Sequence, residues 1–467
     1  MSFNIKELIN IPMEWTTIRV GDIAKINAQS ITKKDTLNTI QYIDISSVST
    51  HKMEAPKTLS FSEAPSRAKR KLKNNDFIIS TVRPNLKQFT FITKADANLI
   101  CSTGFCVISA KDENIAWYLY AFLTSDIFTN YLVKIADGGA YPAFNSSEIE
   151  NAIIPFPPEE ELIKISNWYK TLFFKITLNT QTNQTLEQIA QVIFKHWFID
   201  FAPVHAKANA LVRGKTIEQA ELAAMACLSG KTVEKITALK TQDPTAYHQL
   251  QQTATAFPSE FVETEMGLVP RGWEYRIAED LFDIGIGKTP PRKENKWFST
   301  YEKNNIEWIS IKDMGNSGIY ISNSSEYLTP EAISRFNIRK IPEDTVLLSF
   351  KLTIGRISIT TKETTTNEAI AHFKTGKSSL TTEFLYCYLK DFDFDKLGST
   401  SSIATAVNSR TIKNMDILYP SEEIQMWFVK KVKNIFKKIK SNTLENEYLT
   451  KSRDELLPKI LSGEIEL

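Results

Sequence analysis

The sequence is poor in the residues and segments that mark secreted, membrane-embedded or zinc-binding proteins. Its 467 residues include only four cysteines (Cys101, Cys106, Cys227 and Cys387), and no histidine pair has a zinc-like spacing. We therefore expect reduced, buried thiols in a cytoplasmic protein without a metal site. No stretch approaches the roughly 18 consecutive apolar residues of a membrane span, so we expect no membrane contact. Glycine and proline number only 16 and 18, which argues against disorder.

A strong charge of either sign is also missing. The chain has 56 basic and 54 acidic residues, which leaves a net charge of +2. This balance neither requires nor excludes a nucleic-acid partner, because binding depends on a local basic surface. The length and a hydrophobic content of 42% predict two to three folded domains.

Catalytic patterns are absent as well. The tetrapeptides NPPY and DPPY, typical of amino-methyltransferases, do not occur. The run LFDIGIGKTPP resembles a phosphate-binding loop, but Phe282 replaces its first glycine, and Pro290 and Pro291 would disturb the helix that must follow. Three carboxylates in DFDFD, residues 391–395, fit a solvated helix end better than a nuclease site. We therefore predict no catalytic residue in this chain.

The sequence contains an internal repeat that divides it into two similar copies. PMEWTTIRVGDIAKI at residues 12–26 returns as PRGWEYRIAEDLFDI at residues 270–284, an offset of 258. Later matching segments are offset by 266 and 269, and the offset then holds at 263 from Asn145 to Leu186. A drifting offset indicates insertions, whereas a constant offset indicates a fixed physical spacing. Each copy therefore has a tolerant front half and a rigid back half.

The front halves have the pattern of α/β domains, and the back halves have the pattern of long helices. Short apolar runs such as FIIST, FCVIS and TVLLSF predict strands. In the back halves, key positions recur in alternating steps of three and four, which predicts a coiled-coil seam. The seam positions are Leu162, Ile165, Tyr169, Leu172, Ile176, Asn179, Asn183, Leu186, Ala190 and Ile193, matched by Gln425, Phe428, Val432, Ile435, Ile439, Asn442, Asn446, Leu449, Arg453 and Leu456.

Two asparagines of each helix fall near the middle of this seam. A polar residue in a seam lowers stability and fixes register. If the helices pair antiparallel, Asn179 and Asn183 face Asn442 and Asn446. The alternative is that all four are solvent-facing helix residues.

The predicted fold is thus two α/β (α+β) domains separated by two long helices that pack as an antiparallel coiled coil, with pseudo-twofold repetition. The boundaries follow the repeat. They are residues 1–158 for the first domain, 159–202 for a central helical region, 203–269 for a linker, 270–420 for the second domain and 421–467 for a C-terminal helical region.

Further segments complete a family pattern. They are GKTPP at 287–291, IEWISIKDM at 306–314, AQVIFKHWFIDFAPV at 190–204, FPSEF with MGLVPRGW at 257–273 and LLPKILSGEIEL at 456–467. No single segment is specific, but their order and the duplication are. Over nearly its whole length the chain resembles the specificity subunit of type I restriction-modification systems.

This resemblance implies a subunit without catalysis of its own. It implies two domains that each read one half of a split, asymmetric sequence in double-stranded DNA. It also implies two methyltransferase subunits, which bind S-adenosylmethionine, and motor (restriction) subunits, which use ATP and magnesium. The alternative is a scaffold or decoy homologue that binds methyltransferase subunits without reading DNA.

Residues suited to contact DNA lie in basic stretches, in loops that follow predicted strands and in two small-residue loops that precede the long helices. Phosphates favour lysine, arginine and backbone amides, and small residues allow the backbone to approach a groove. The candidates are Arg67, Arg70, Arg83, Lys87, Gly139 and Tyr141 in the first domain, and Lys288, Arg292, Lys312, Lys351, Arg356 and Ser401 in the second. For the basic residues, an ordinary solvated surface charge is the alternative.

Two aromatic residues follow the first seam directly. If Trp197 and Phe198 are exposed, they suit the docking of a methyltransferase subunit. The alternative is local packing against a recognition domain.

Overall fold

The computed structural model describes residues 3–4, 11–32, 35, 37–137, 139, 141–300, 303–398 and 407–467. The chain divides into two compact units, Met1–Thr177 with Tyr448–Leu467, and Leu178–Glu447. Two helices of 40 residues each, α5 and α15, continue from one unit into the other. Each unit is described by itself.

The first unit is built of short strands with a few helices. Its strands are β1 Thr16–Arg19, β2 Ala24–Ile26, β3 Thr39–Ile43, β4 Val48–Ser49, β5 Lys52–Met53, β6 Lys57–Ser60, β7 Ala68–Lys71, β8 Asp76–Ser80, β9 Phe89–Phe91, β10 Leu99–Ser102, β11 Phe105–Ala110 and β12 Ile153–Phe156. Its helices are α1 Val20–Ile23, α2 Glu113–Leu123, α3 Asp126–Ile135, α4 Ser146–Glu150 and the first part of α5 Glu159–Phe198.

The second unit begins with helices and continues with strands. Its helices are α6 Ala202–Val212, α7 Ile217–Ser229, α8 Val233–Gln242, α9 Pro244–Ala256, α10 Ala278–Leu281, α11 Ile311–Asn316, α12 Pro330–Arg335, α13 Thr382–Asp391, α14 Ser409–Lys413 and most of α15 Glu422–Leu461. Its strands are β13 Phe261–Thr264, β14 Gly267–Pro270, β15 Glu274–Ile277, β16 Asp283–Ile286, β17 Phe298–Ser299, β18 Ile306–Ile309, β19 Tyr320–Ile321, β20 Tyr327–Leu328, β21 Val346–Ser349, β22 Ile357–Thr360, β23 Thr365–Thr366, β24 Ile370–Lys374 and β25 Asp416–Tyr419.

The sheets repeat between the units, as the sequence predicts. The first unit has the strand order β2-β11-β8-β9, and the second has β16-β24-β21-β22-β19. The parallel pair β3–β10 has its counterpart in the parallel pair β18–β23. The antiparallel pair β1–β12 likewise corresponds to β15–β25. The predicted α/β fold with an internal repeat is therefore confirmed.

The opening segment of each copy anchors its domain by burying a tryptophan. Trp15 is 5% exposed, and its indole Nε1 donates a 2.8 Å hydrogen bond to the Glu161 carboxylate. Trp273 is 4% exposed and packs among rings that include Phe198 and Phe257. These repeated residues therefore contribute to the cores of their domains.

The segment predicted as a linker is a folded element. Residues 203–269 form most of α6, all of α7, α8 and α9, and the antiparallel pair β13–β14. Lys207 on α6 is buried, and its ammonium donates hydrogen bonds to the carbonyl oxygens of Ala254 (2.9 Å), Thr255 (3.3 Å) and Phe257 (2.6 Å). A cation suits the unpaired carbonyls at a helix C-terminus, so Lys207 ties α6 to the end of α9. The contact joins residues about 50 positions apart, so the sequence alone did not predict it.

Candidate DNA-contacting loops and helix pairing

Two loops of the first domain that were predicted separately meet at Arg83. Its backbone is left-handed (φ 49°), and its N–H donates a 2.7 Å hydrogen bond to the Pro142 carbonyl oxygen. A β-bridge between Val82 and Ala143 continues this pairing. The half-buried Arg83 guanidinium lies 4.3 Å from the ring centre of Tyr141, which is 68% exposed. An arginine stacked on an exposed ring presents a flat, charged surface suited to nucleic acid.

Two further candidates lie in the same loops: Lys87 follows Arg83, and Gly139 precedes Tyr141. Gly139 has φ +57°, and an added Cβ would meet nothing within 4 Å, so backbone conformation alone favours glycine. Lys87 also has a left-handed backbone (φ 50°), and its ammonium forms a 2.5 Å ion pair with the exposed Asp126 carboxylate. A phosphate approaching Lys87 must therefore compete with Asp126.

Arg67 and Arg70 have different surroundings although they are close in sequence. Arg67 is exposed, whereas Arg70 lies on β7 opposite Cys101 of β10. The Arg70 side chain is half-buried, and its Nε is buried without a hydrogen-bond partner among the described residues. Arg67 is therefore the better placed of the two for a phosphate.

Lys288 and Arg292 lie in the loop after β16, so the prediction of a strand followed by a loop is confirmed. The Lys288 ammonium donates to the carbonyl oxygens of Phe336 (3.3 Å) and Asn337 (3.0 Å). At Gly287, an added Cβ would lie 2.0 Å from the Asn367 carbonyl oxygen. This glycine therefore serves close packing of the backbone.

Arg292 is held by an acid and two rings. Its guanidinium donates two hydrogen bonds to Glu326, of 2.7 and 2.9 Å, and this pairing raises the pKa of Arg292. Its guanidinium carbon also lies 4.3 Å from the ring centre of Phe298 and 4.5 Å from that of Trp308. Most of its binding capacity is thus used within the domain.

The hairpin loop between β21 and β22 carries Lys351 and Arg356. Lys351 is exposed. Arg356 is half-buried, and its Nη1 donates a 2.6 Å hydrogen bond to the Ile311 carbonyl oxygen, which braces the loop against α11. Lys312 is exposed on the same helix, and Ser401 lies outside the described residues.

One exposed residue of this loop was not among the predicted contacts. Leu352 is 97% exposed and has a left-handed backbone with φ 62°. An aliphatic residue close to a predicted strand is normally assigned to a core, so sequence alone gave no reason to select it. At the offset of 269 that relates these segments, Leu352 corresponds to Arg83.

Within the second unit, α5 and α15 pair antiparallel through the seam asparagines. The amide nitrogen of Asn179 donates to Glu445 Oε2 and Asn446 Oδ1, both at 2.9 Å. Asn442 donates a 2.9 Å hydrogen bond to the side-chain oxygen of Asn183. Because Asn179 and Asn442 are 5% and 1% exposed, the alternative of solvent-facing residues is wrong.

The other predicted pairing positions are also shielded from solvent. Ile439 is 1% exposed, and Leu172, Ile176 and Ile435 are half-buried. The periodicity therefore identified the buried face of each helix.

Trp197 and Phe198, proposed as docking residues on the condition that they are exposed, do not meet that condition. They are 5% and 1% exposed, and they pack against aromatic rings of the second unit such as Phe428, with ring centres 6.1 and 5.2 Å away. Both side chains lie on the buried side of α5, so they offer no surface for docking. The stated alternative of local packing is correct.

Two negative findings concern the described part of the chain. None of its His, Cys, Asp and Glu side chains group in a way that could hold a metal ion. None of its helices is long and apolar enough to cross a membrane.

A comparison with models of known protein families identifies the family of this chain. A model of the type I restriction modification DNA specificity domain matches the chain twice, over residues 12–188 and 270–451. The chain belongs to the type I DNA specificity family. It carries two such specificity domains, which coincide with the two copies of the repeat.

Specificity subunits from other organisms are similar to this chain. The specificity subunit of the type I restriction enzyme HindI from Haemophilus influenzae is 35% identical over 468 residues, covering 97% of this chain and 100% of that subunit. The specificity subunit of the type I restriction enzyme MjaIX from Methanocaldococcus jannaschii is 24% identical over 387 residues, covering 81% of this chain and 75% of that subunit. The match to the solved S subunit of a type I restriction-modification system from M. genitalium covers 98% of this chain and 99% of that subunit. The identity is 14% and the TM-score is 0.44.

Proposed function

We propose that this chain reads an asymmetric, two-part DNA sequence, one part with each domain, and has no catalytic activity of its own. The observation that carries the proposal is a repeated frame with different loops. The strands β2-β11-β8-β9 of the first domain have counterparts in β16-β24-β21-β22 of the second, yet equivalent loop positions hold Arg83 in one and Leu352 in the other. Two unlike surfaces on like frames suit two unlike half-sites.

In the first domain, the contact with DNA centres on Arg83 and Tyr141. Hydrogen bonding and bridging between the two loops hold these side chains in place before DNA arrives. A positioned arginine can donate two hydrogen bonds to guanine in the major groove. The exposed Arg67 adds a charge suited to a phosphate. In the second domain, Lys351 and Lys312 are the better candidates, because both are exposed, whereas the side chains of Lys288, Arg292 and Arg356 are hydrogen-bonded within the domain.

We further propose that the chain assembles two methyltransferase subunits and, through them, motor subunits. The surface that supports this proposal lies on the part of α5 in the second unit, away from the buried face. Leu178, Ile189 and Val192 are 60%, 45% and 68% exposed, and they recur at helical spacing. An apolar stripe in water is suited to cover by a partner helix. S-adenosylmethionine, ATP and magnesium would then act in the partner subunits.

Co-expression with the neighbouring methyltransferase, followed by genome-wide mapping of methylated adenines, tests this function. A motif of two defined parts separated by an undefined spacer is expected. A stable complex that leaves the genome unmethylated would instead indicate a scaffold or decoy. Methylation by the isolated chain would show a catalytic activity that the proposal denies.

A further inference from the structure

Leu352 lies at the tip of a tightly bonded loop. The loop, residues 350–356, joins the antiparallel strands β21 and β22. The Ser349 N–H donates to the Arg356 carbonyl oxygen (2.9 Å), and the Gly355 N–H donates to the Ser349 carbonyl oxygen (3.0 Å). The Ser349 hydroxyl donates a 2.6 Å hydrogen bond to the Thr353 carbonyl oxygen. These bonds hold the loop in one shape.

The conformation and exposure of Leu352 are both unfavourable in the protein alone. A left-handed backbone is rare for a branched side chain because its Cβ crowds the following carbonyl. At 97% exposure, no packing within the chain compensates for this conformation. The loop also exposes Ile354, which is 42% accessible. Strained residues that persist in a fixed loop are concentrated at binding and catalytic sites.

The first domain uses the same backbone position for a different side chain. Ser80 and Ser349 end equivalent strands, and three residues later Arg83 (φ 49°) and Leu352 (φ 62°) share the left-handed conformation. The repeat thus retains a left-handed position at this point of the loop and changes the side chain that it carries. Arg83 stacks on Tyr141, whereas Leu352 stands apart with the exposed Lys351 beside it.

We propose that Leu352 is an apolar wedge that enters the base stack of the half-site read by the second domain. This inference rests on the proposed DNA-reading function. Leucine and isoleucine are among the side chains that proteins insert between base steps, whereas thymine methyl groups are typically met by alanine, threonine or phenylalanine. Lys351 supplies a cation for the phosphate next to the opened step. Insertion would bury the side chain that the free protein exposes.

The test uses the full chain in complex with its methyltransferase, on the target found by methylation mapping. 2-Aminopurine, which fluoresces more when unstacked, replaces each purine of the second half-site in turn. Wild type is compared with Leu352→Ala, Leu352→Met and, as a matched control, Leu268→Ala. Leu268 is another exposed leucine of the same unit, at 63%, and lies on β14 outside the loop.

We expect wild type and Leu352→Met to raise the fluorescence at one base step and Leu352→Ala to abolish that rise. The affinity of Leu352→Ala should fall about tenfold, the effect of leaving one leucine side chain unburied. Leu268→Ala should match wild type. Unchanged fluorescence and affinity in Leu352→Ala would overturn the wedge. The same is true if replacing thymine by deoxyuridine reproduces the loss, because the contact is then a methyl group. A wild-type complex without any bipartite motif would overturn the DNA-reading function itself, and the wedge with it.

Discussion

Removing the hydrogen-bonded pair Asn183 and Asn442 should cause less destabilisation than the two single losses added together. The Asn442 amide donates to the Asn183 oxygen at 2.9 Å, and Asn183 donates to Thr443 Oγ1 at 3.3 Å. Asn442 is 1% exposed, so water cannot replace a lost partner. Asn183→Ala leaves the buried amide of Asn442 without its acceptor, which costs about 1–3 kcal/mol, and Asn442→Ala leaves the half-buried Asn183 oxygen without this donor.

The double variant removes both side-chain amides, so neither remains without its partner. We therefore expect its free energy of unfolding to exceed the additive value by about 1–2 kcal/mol, within the usual range for contacting pairs. Urea denaturation followed by circular dichroism gives the overall stability. Hydrogen exchange of residues 178–198 and 422–447 locates the effect on the helices. Additivity to within about 0.3–0.5 kcal/mol would refute the inference that the pair is energetically coupled across the seam.

A change of all four seam asparagines to leucine separates stability from register. Apolar seams are more stable than polar ones, but they specify pairing less strictly. We expect a more stable helix pair that cross-links in more than one register. A single unchanged register would contradict this role of the asparagines.

Three further predictions concern separate surfaces. Arg83→Ala should weaken target binding by about 1–3 kcal/mol in fluorescence anisotropy, and unchanged binding would remove Arg83 from the interface. Burial lowers the pKa of His372 from 6.5 to about 3, so the unfolded chain binds its proton first as the pH falls below 6.5. His372 should account for about 2 kcal/mol of the stability lost between pH 7 and 5 in urea titrations; His372→Gln should reduce the loss by that amount, and the exposed His248→Gln should not. Joint replacement of Ile189 and Val192 by aspartate should abolish methyltransferase binding in size-exclusion chromatography at unchanged helicity, and a retained complex would exclude this stripe as the docking surface.

The helices and the repeated domain cores were predictable because periodicity and repetition are visible in short stretches of the sequence. A three-four spacing places Asn179 and Ile439 on the buried faces of their helices, since a helix turns by about 100° per residue. The matching tryptophans Trp15 and Trp273 recur because each domain needs the same anchor. Neither inference depends on knowing which distant segment lies nearby.

The loop surfaces were not predictable to the same degree, because they depend on tertiary contacts. Arg83 meets Tyr141 across 58 positions of sequence, and no periodic pattern links the two loops. Trp197 and Phe198 were selected as docking residues, but both are buried. Large aromatic residues after a helical seam fit exposure and burial equally well until their neighbours are known. Leu352 escaped selection because its left-handed backbone and its exposure are visible only in the folded loop.

Exchange of one recognition domain tests the central claim most directly. Residues 12–158 would be replaced by the corresponding domain of the HindI specificity subunit, and methylated adenines would be mapped for the parent and the hybrid, each with the parent's methyltransferase. The account predicts that one half of the motif changes while the other half stays the same. A change in both halves, or in neither, would contradict the reading of DNA by two separate domains.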